Sequence, residues 1–193
     1  MKEEADQLEI EMKFPVPDFE ALKKKLRQLK ARRKQQTALH MEDYYFNAPD
    51  RDFARTDEAL RLRRIGMANK VTYKGPKRDA HTKTRTEIEI DLARGKRAAE
   101  DFQSLLRHLG YRDVAVVCKE RQIYHLKRGS FAIEVCLDKV EGLGTYAELE
   151  IQEDTGKLDP ARNVLLKLAE ELGLSGSERR SYLELLLKKK AGR

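Results

Sequence analysis

Apolar and charged residues alternate without a break through LEIEMKF. Leu8, Ile10, Met12 and Phe14 fall on one parity, and Glu9, Glu11 and Lys13 fall on the other. A period of two marks a β-strand with one dry face and one charged face. Comparable stretches recur at His40–Phe46, Ala59–Ile65, Val71–Lys74, Arg85–Leu92, Val114–Leu126, Phe131–Leu137 and Tyr146–Ile151. Together they predict about eight strands. Arg128-Gly129-Ser130 reads as a hairpin turn, and Gly142-Leu143-Gly144 breaks the chain before the last strand.

Between the strands the period changes to that of a helix. Asp18 can cap a helix whose Phe19, Leu22, Leu26 and Leu29 share one face. Phe102, Leu105, Leu106 and Leu109 form a second stripe, ended by Gly110. Asp159-Pro160 opens a third helix, carrying Val164, Leu165, Leu168 and Leu172 and closed by Gly173. Ser177 is the expected cap of a last helix through Tyr182, Leu183, Leu186 and Leu187, and a basic helical run is read over Lys23–Lys34. The segment Gly75–Thr84 and the Lys-rich end are expected to be solvated and mobile. Strands follow one another in hairpin order rather than through crossover helices, so the class is α+β, with a mostly antiparallel sheet and helices outside it.

Composition sharpens this picture. The chain has 193 residues, 40% hydrophobic and 38% charged, with a net charge of +7. It is long enough for one domain spanning 1–193, and the charge excess needs a solvated face or a polar interior. A basic chain favours an anionic partner. There is no apolar run long enough for a membrane span, and MKEEADQ lacks the apolar stretch of a signal peptide, so a cytoplasmic protein with no membrane partner is expected. Cys118 and Cys136 are too few for a disulfide framework, lack metal-site spacing, and are read as packed, reduced thiols.

Parity then gives the charged faces a direction. Leu60 and Leu62 oppose Arg61 and Arg63; Ile88, Ile90 and Leu92 oppose Arg85, Glu87, Glu89 and Asp91; Leu149 and Ile151 oppose Glu148 and Glu150. Lys119 pairs in parity with Arg121, and Glu134 with Asp138. The helices must cover the apolar strand faces, so the charged faces look the other way. In an open sheet that side is water; in a closed barrel it is the lumen. Any single pair reads as a solvated face. The segregation of acidic strands from basic strands favours a lumen that holds a metal–polyphosphate complex, because Mg²⁺ or Mn²⁺ takes carboxylate oxygens while phosphate takes Arg and Lys.

The ordered series Glu9-x-Glu11-x-Lys13, LRLRR, TYKGP, RTEIEI, CKERQIY, IEVCLDKVEGLG and AELEI resembles the signature of the CYTH superfamily, the triphosphate tunnel metalloenzymes, over almost the whole chain. HMEDYYFNAPDRDFARTDEALRLR and SYLELL are most similar to the class IV adenylyl cyclase branch. The resemblance implies a closed eight-stranded antiparallel β-barrel with helices outside, a triphosphate inside and Mg²⁺ or Mn²⁺ as cofactor. It implies Glu9, Glu11, Glu134, Glu148 and Glu150 as metal carboxylates. It implies Lys13, Arg61, Arg63, Lys74, Arg85, Lys119 and Arg121 as triphosphate contacts, with Glu9, Glu11, Lys13 and Arg63 at the chemistry. Glu87, Glu89 and Asp138 lie in the same motifs, the two glutamates as holders of basic neighbours. Arg179 and Arg180 are read as surface residues near one tunnel mouth.

The expected reaction is conversion of ATP to cyclic AMP and pyrophosphate. The alternatives are hydrolysis of tripolyphosphate or thiamine triphosphate and, outside enzymology, binding of polyphosphate or RNA by the basic Lys23–Lys34 segment. A nucleic-acid partner is not expected, because carboxylates interleave the basic strands. A homodimer is expected from the resemblance alone. Tyr44 and Tyr45 are read as packing residues and His40 as a rim residue; no Ser-His-Asp or Cys-His set is evident, so covalent catalysis has no support.

Overall fold

The computed structural model describes residues 7–76, 85–154 and 157–192. Its strands are β1 (Gln7–Pro15), β2 (Arg32–Arg33), β3 (Leu39–Asn47), β4 (Ala59–Ile65), β5 (Ala68–Lys74), β6 (Arg85–Leu92), β7 (Arg112–Arg128), β8 (Phe131–Val140) and β9 (Gly144–Asp154). Its helices are α1 (Phe19–Gln28), α2 (Phe53–Thr56), α3 (Lys96–His108), α4 (Leu158–Leu172) and α5 (Tyr182–Ala191). All pairings are antiparallel. The order β7-β3-β4-β5-β6-β1-β9-β8 closes on itself through β8 and β7, which makes the expected eight-stranded barrel. The two residues of β2 lie beside β7 beyond the end of β3, pairing Arg32 with His125 and Arg33 with Tyr124.

Closure divides the strand faces as parity predicted. The outward residues Ile10, Met12, Val135, Leu137, Leu149 and Ile151 pack under α1 and α4, whose Leu22, Leu26, Leu165 and Leu168 are buried. Across the barrel, α3 sets Ala99, Phe102 and Leu106 on Leu60, Leu62, Val71 and Phe46. The third cluster is of another kind. Tyr182 of α5, with Leu183 and Leu186 beside it, meets Tyr45, Val117 and Val140, which point along the lumen, so α5 packs across the barrel interior.

Several expectations need correction. The basic run Lys23–Lys34 is not one helix: α1 ends at Gln28, Lys30 adopts a left-handed φ of 56°, and Arg32–Arg33 pairs with β7. Strand pairing, including the bond from the Lys34 N–H to the Ile123 carbonyl at 2.9 Å, outweighs the helical propensity of the lysines. The cap of α5 is Ser181 in a capping box with Glu184, not Ser177. The residues before it are held elsewhere, since the Glu178 N–H donates to the Lys13 carbonyl at 2.7 Å. Lys188–Lys190 form the last turn of α5 and are exposed, so the Lys-rich end is solvated but helical. The apolar faces of α3 and β6 are only partly covered: Leu105, Ile88 and Ile90 are more than half exposed, at 53%, 54% and 57%. Of the segment Gly75–Thr84, residues 77–84 lie outside the described residues. Among the described residues no helix is long and apolar enough to cross a membrane.

These packing differences predict unequal stability effects. Leu165→Ala, at a fully buried site under the barrel, should cost about 2–5 kcal/mol in urea unfolding. Leu105→Gln, on the exposed shoulder of α3, should stay within about 0.5 kcal/mol of the parent.

Candidate active site

Closing the barrel turns the charged parity of every strand onto one cavity of about 500 Å³, within the range that holds a small ligand. Its wall is divided by sign. Antiparallel register aligns Glu11 of β1 with Glu150 of β9, and Glu150 with Glu134 of β8. Glu9 and Glu148 flank that row on the same faces. Arg61 and Arg63 of β4, Lys74 of β5, and Lys119 and Arg121 of β7 supply the basic part of the lining. Arg85 on β6 faces Glu9 across the β1–β6 junction. Lys13 is 1% exposed, Lys119 3%, and Arg61, Arg85 and Arg121 are also buried.

So many desolvated cations require fixed anions, and two aspartates supply them. Asp138 is fully buried. It accepts from Lys119 Nζ at 3.0 Å, from Arg121 Nε at 2.7 Å and Nη2 at 2.6 Å, and from the Tyr182 hydroxyl at 3.0 Å. Asp43 on β3 binds Arg63 through both oxygens at 2.7 Å and lies 3.9 Å from Arg61. Burial opposes ionisation of Asp43, but the charges of Arg63 and Arg61 outweigh it and hold the carboxyl below its usual range. Thr72 accepts from Arg61 Nη2 at 3.0 Å, while the Arg61 Nε is buried without a partner among the described residues. That guanidinium is thus held from one side with donor capacity left over.

Lys13 is held from above by α5. Its ammonium donates to the Arg180 carbonyl, sits 4.3 Å from the centre of the Tyr182 ring and lies 4.0 Å from Glu148. Tyr182 is itself fixed by its bond to Asp138 and an edge contact to Tyr146 at 5.3 Å. Arg121 reaches past Asp138 to Glu148, and to Glu150 at 3.2 Å. Lys74 contacts Glu87 and lies 3.6 Å from Glu9.

The acidic wall has the donor chemistry of a hard divalent cation, which takes several carboxylate oxygens. The electrostatics of the chain fit such an ion. Burial first, then the charges of Glu9, Glu148 and Glu11, push the Glu150 carboxyl up to about 8 despite Arg121 beside it. Glu87 is likewise raised, by burial and by Glu9. A dication among these groups would relieve the crowding.

Every predicted site residue lines the cavity or, like Glu87 and Asp138, holds a residue that does. Glu87 bonds Lys74, and Glu89 bonds Lys70 at 2.8 Å. Glu134 lies near an opening: its side chain is 36% exposed and takes Lys34 at 3.4 Å. His40 is exposed; Tyr44 packs on the outer cluster with α3, while Tyr45 turns into the lumen. Arg179 is exposed, and Arg180 contributes its carbonyl to Lys13. Asp43, Thr72 and Tyr182 escaped the sequence reading. Asp43 carried a signal, since it shares parity with Tyr45 and Met41 on a predicted strand. Cys136 is a packed, free thiol as read, and its parity with Glu134 and Asp138 puts it on the inward side of β8.

A model of the CYTH domain matches residues 7–182. The "Putative adenylate cyclase MJ0240" of Methanocaldococcus jannaschii is 37% identical over 183 residues, 92% of this chain and 98% of that protein. The "Adenylate cyclase CyaB" of Aeromonas hydrophila is 36% identical over 149 residues, 75% of this chain and 71% of that protein. Among solved structures, the PH1819 protein from Pyrococcus horikoshii OT3 superposes with a TM-score of 0.80 at 37% identity, covering 94% of this chain and 99% of its own.

Two predictions follow from the site's electrostatics. Unfolded Glu150 titrates near its ordinary 4.5, whereas the folded barrel keeps its proton up to about 8. The folded state binds more protons in that window, so the metal-free protein should lose stability as pH rises through it and not recover above. Thermal unfolding should show Mg²⁺ raising Tm more near pH 8 than near pH 6, and Glu150→Gln should flatten both dependences. Asp138→Ala, which strands Lys119 and Arg121 in the interior, should cost about 3–5 kcal/mol in urea unfolding, and Asp138→Asn less.

Proposed function

The chain belongs to the CYTH family, and from that premise we propose that it is a divalent-metal-dependent adenylyl cyclase, converting ATP to cyclic AMP and pyrophosphate. The observation that carries the triphosphate reading is one lumen lined by both a row of carboxylates and a set of guanidinium and ammonium groups. The adenylate cyclase names of the two relatives favour cyclisation over hydrolysis.

In this reading Arg61, Arg63, Lys74, Arg85, Lys119 and Arg121 hold the oxygens of the phosphate chain, and Lys13 holds it from β1. Glu9, Glu11, Glu134, Glu148 and Glu150 hold Mg²⁺ or Mn²⁺, which when bound neutralises phosphate charge and fixes the geometry of the chain. The ribose 3′-hydroxyl attacks the α-phosphorus and pyrophosphate leaves. The negative charge that grows on the leaving group meets cations already oriented by Asp43 and Asp138, so little reorganisation is needed at the moment of bond cleavage. The restraint on Lys13 from the Arg180 carbonyl and Tyr182 ring serves the same end. In a hydrolase the same cations would act and water would attack the terminal phosphorus.

Product analysis tests the proposal. With Mg²⁺ or Mn²⁺ the protein should turn ATP into cyclic AMP and pyrophosphate. Release of orthophosphate from tripolyphosphate or thiamine triphosphate with ATP untouched would replace cyclisation by hydrolysis. Arg63→Ala should lower kcat by about 10²–10³-fold, the usual scale for one oriented transition-state donor. Glu9→Ala should abolish turnover; unchanged metal-dependent turnover in that variant would refute the carboxylate assignment.

A further inference from the structure

Beyond the oxygen donors, the acidic wall contains a sulfur. Cys136 lies on β8 between Glu134 and Asp138, and antiparallel pairing sets it opposite Glu148 of β9 and Ile123 of β7. It is a free thiol, fully buried, and makes no hydrogen bond to any described residue. One ligand atom from each of Glu134, Cys136 and Glu150 lies within 4.8 Å of the others. His125 stands next to this group, its Nε2 3.6 Å from Glu134 Oε1 and buried without a hydrogen bond.

We propose that Glu134, Cys136 and Glu150 form a binding site for a thiophilic divalent cation of the zinc class, in competition with the hard cation for the shared carboxylates. The inference rests on the reading that Glu134 and Glu150 face cations; what it adds is the soft donor. Thiolate sulfur selects zinc, cadmium or cobalt over magnesium, which prefers an all-oxygen shell. Bond lengths of about 2.0–2.3 Å place the ligand atoms of a tetrahedral ion roughly 3.3–3.8 Å apart. Separations within 4.8 Å therefore need to close by no more than about 1.5 Å through side-chain rotation, and the His125–Glu134 spacing of 3.6 Å already lies in that range. On binding, the S–H bond breaks, a metal–sulfur bond forms and the proton passes to solvent. Two cations must give way. Lys34, half exposed, leaves Glu134, and Arg121 loosens from Glu150 while keeping its two bonds to Asp138. Zinc held here takes Glu134 and Glu150 from the magnesium set, so it acts as an inhibitor of the metal-dependent reaction.

The test needs no turnover. Titrating Cd²⁺ or Co²⁺ into the EDTA-stripped full chain should raise a near-ultraviolet thiolate-to-metal charge-transfer band that saturates at equimolar metal. Zn²⁺ should displace the band at equimolar concentration, and Mg²⁺ only in large excess. The band should vanish in Cys136→Ser and Cys136→Ala and persist in Cys118→Ser, which removes the other thiol. It should also persist in Glu9→Ala, the variant that tests the proposed reaction. Absence of the band in the parent protein, or its survival in both Cys136 variants, would overturn the soft site while leaving the reaction untouched. A band in a protein that turns over no triphosphate would uphold the site and remove only the enzymatic reading.

Discussion

Asp138 has no contact with solvent, yet three side chains from two other elements donate to it. Within the closed ring Lys119 and Arg121 have little water to solvate them, and they are brought together by belonging to one strand face. An anion of fixed position is the condition for burying both. The consequences spread outward from this carboxylate. Arg121 is oriented so that its Nη2 also reaches Glu148 and its Nη1 reaches Glu150. Tyr182 is anchored, and with it the first turn of α5, whose approach restrains Lys13 from the other side. Asp43 performs the same service for Arg63 across the lumen. The basic wall is thus built largely of cations held by an anion behind them, Arg63 by Asp43, Lys119 and Arg121 by Asp138 and Lys74 by Glu87.

The acidic wall is built the opposite way. Glu150 sits among carboxylates whose charge outweighs Arg121 beside it, and the fold retains its proton well above the usual range. An interior of this kind lowers the stability of the empty barrel and stores a preference for cations. It follows the general pattern in which a binding site costs fold stability that its ligand restores.

Much of this was legible in the chain because a strand has a period of two and the barrel has only two sides. Once the helices claimed Ile10, Leu149 and their neighbours, Glu9, Glu11, Glu148 and Glu150 had to face inward. What parity cannot supply is position around the ring. Asp43 was hidden because its value depends on Arg63 being its register partner on the next strand, and pairing register is a tertiary fact. The carboxylates gathered around the packed thiol of Cys136 were hidden because they come from β8 and β9 at positions that no spacing motif relates. Ser177 looked as good a cap as Ser181; only the bond from Glu178 to β1 shows why the helix waits. The exposed Ile88 and Ile90 fail for another reason: alternation says which way a side chain points, not whether anything arrives to cover it.

Among the described residues, β1 and β6 are joined at one junction, where Leu8 faces Thr86 and Glu9 faces Arg85. Glu9 and Arg85 stand on either side of it, one from each wall of charge. A metal-bound polyphosphate touching both would tie the two strands to each other, and the lumen would then also be the place where the ligand fastens the barrel shut.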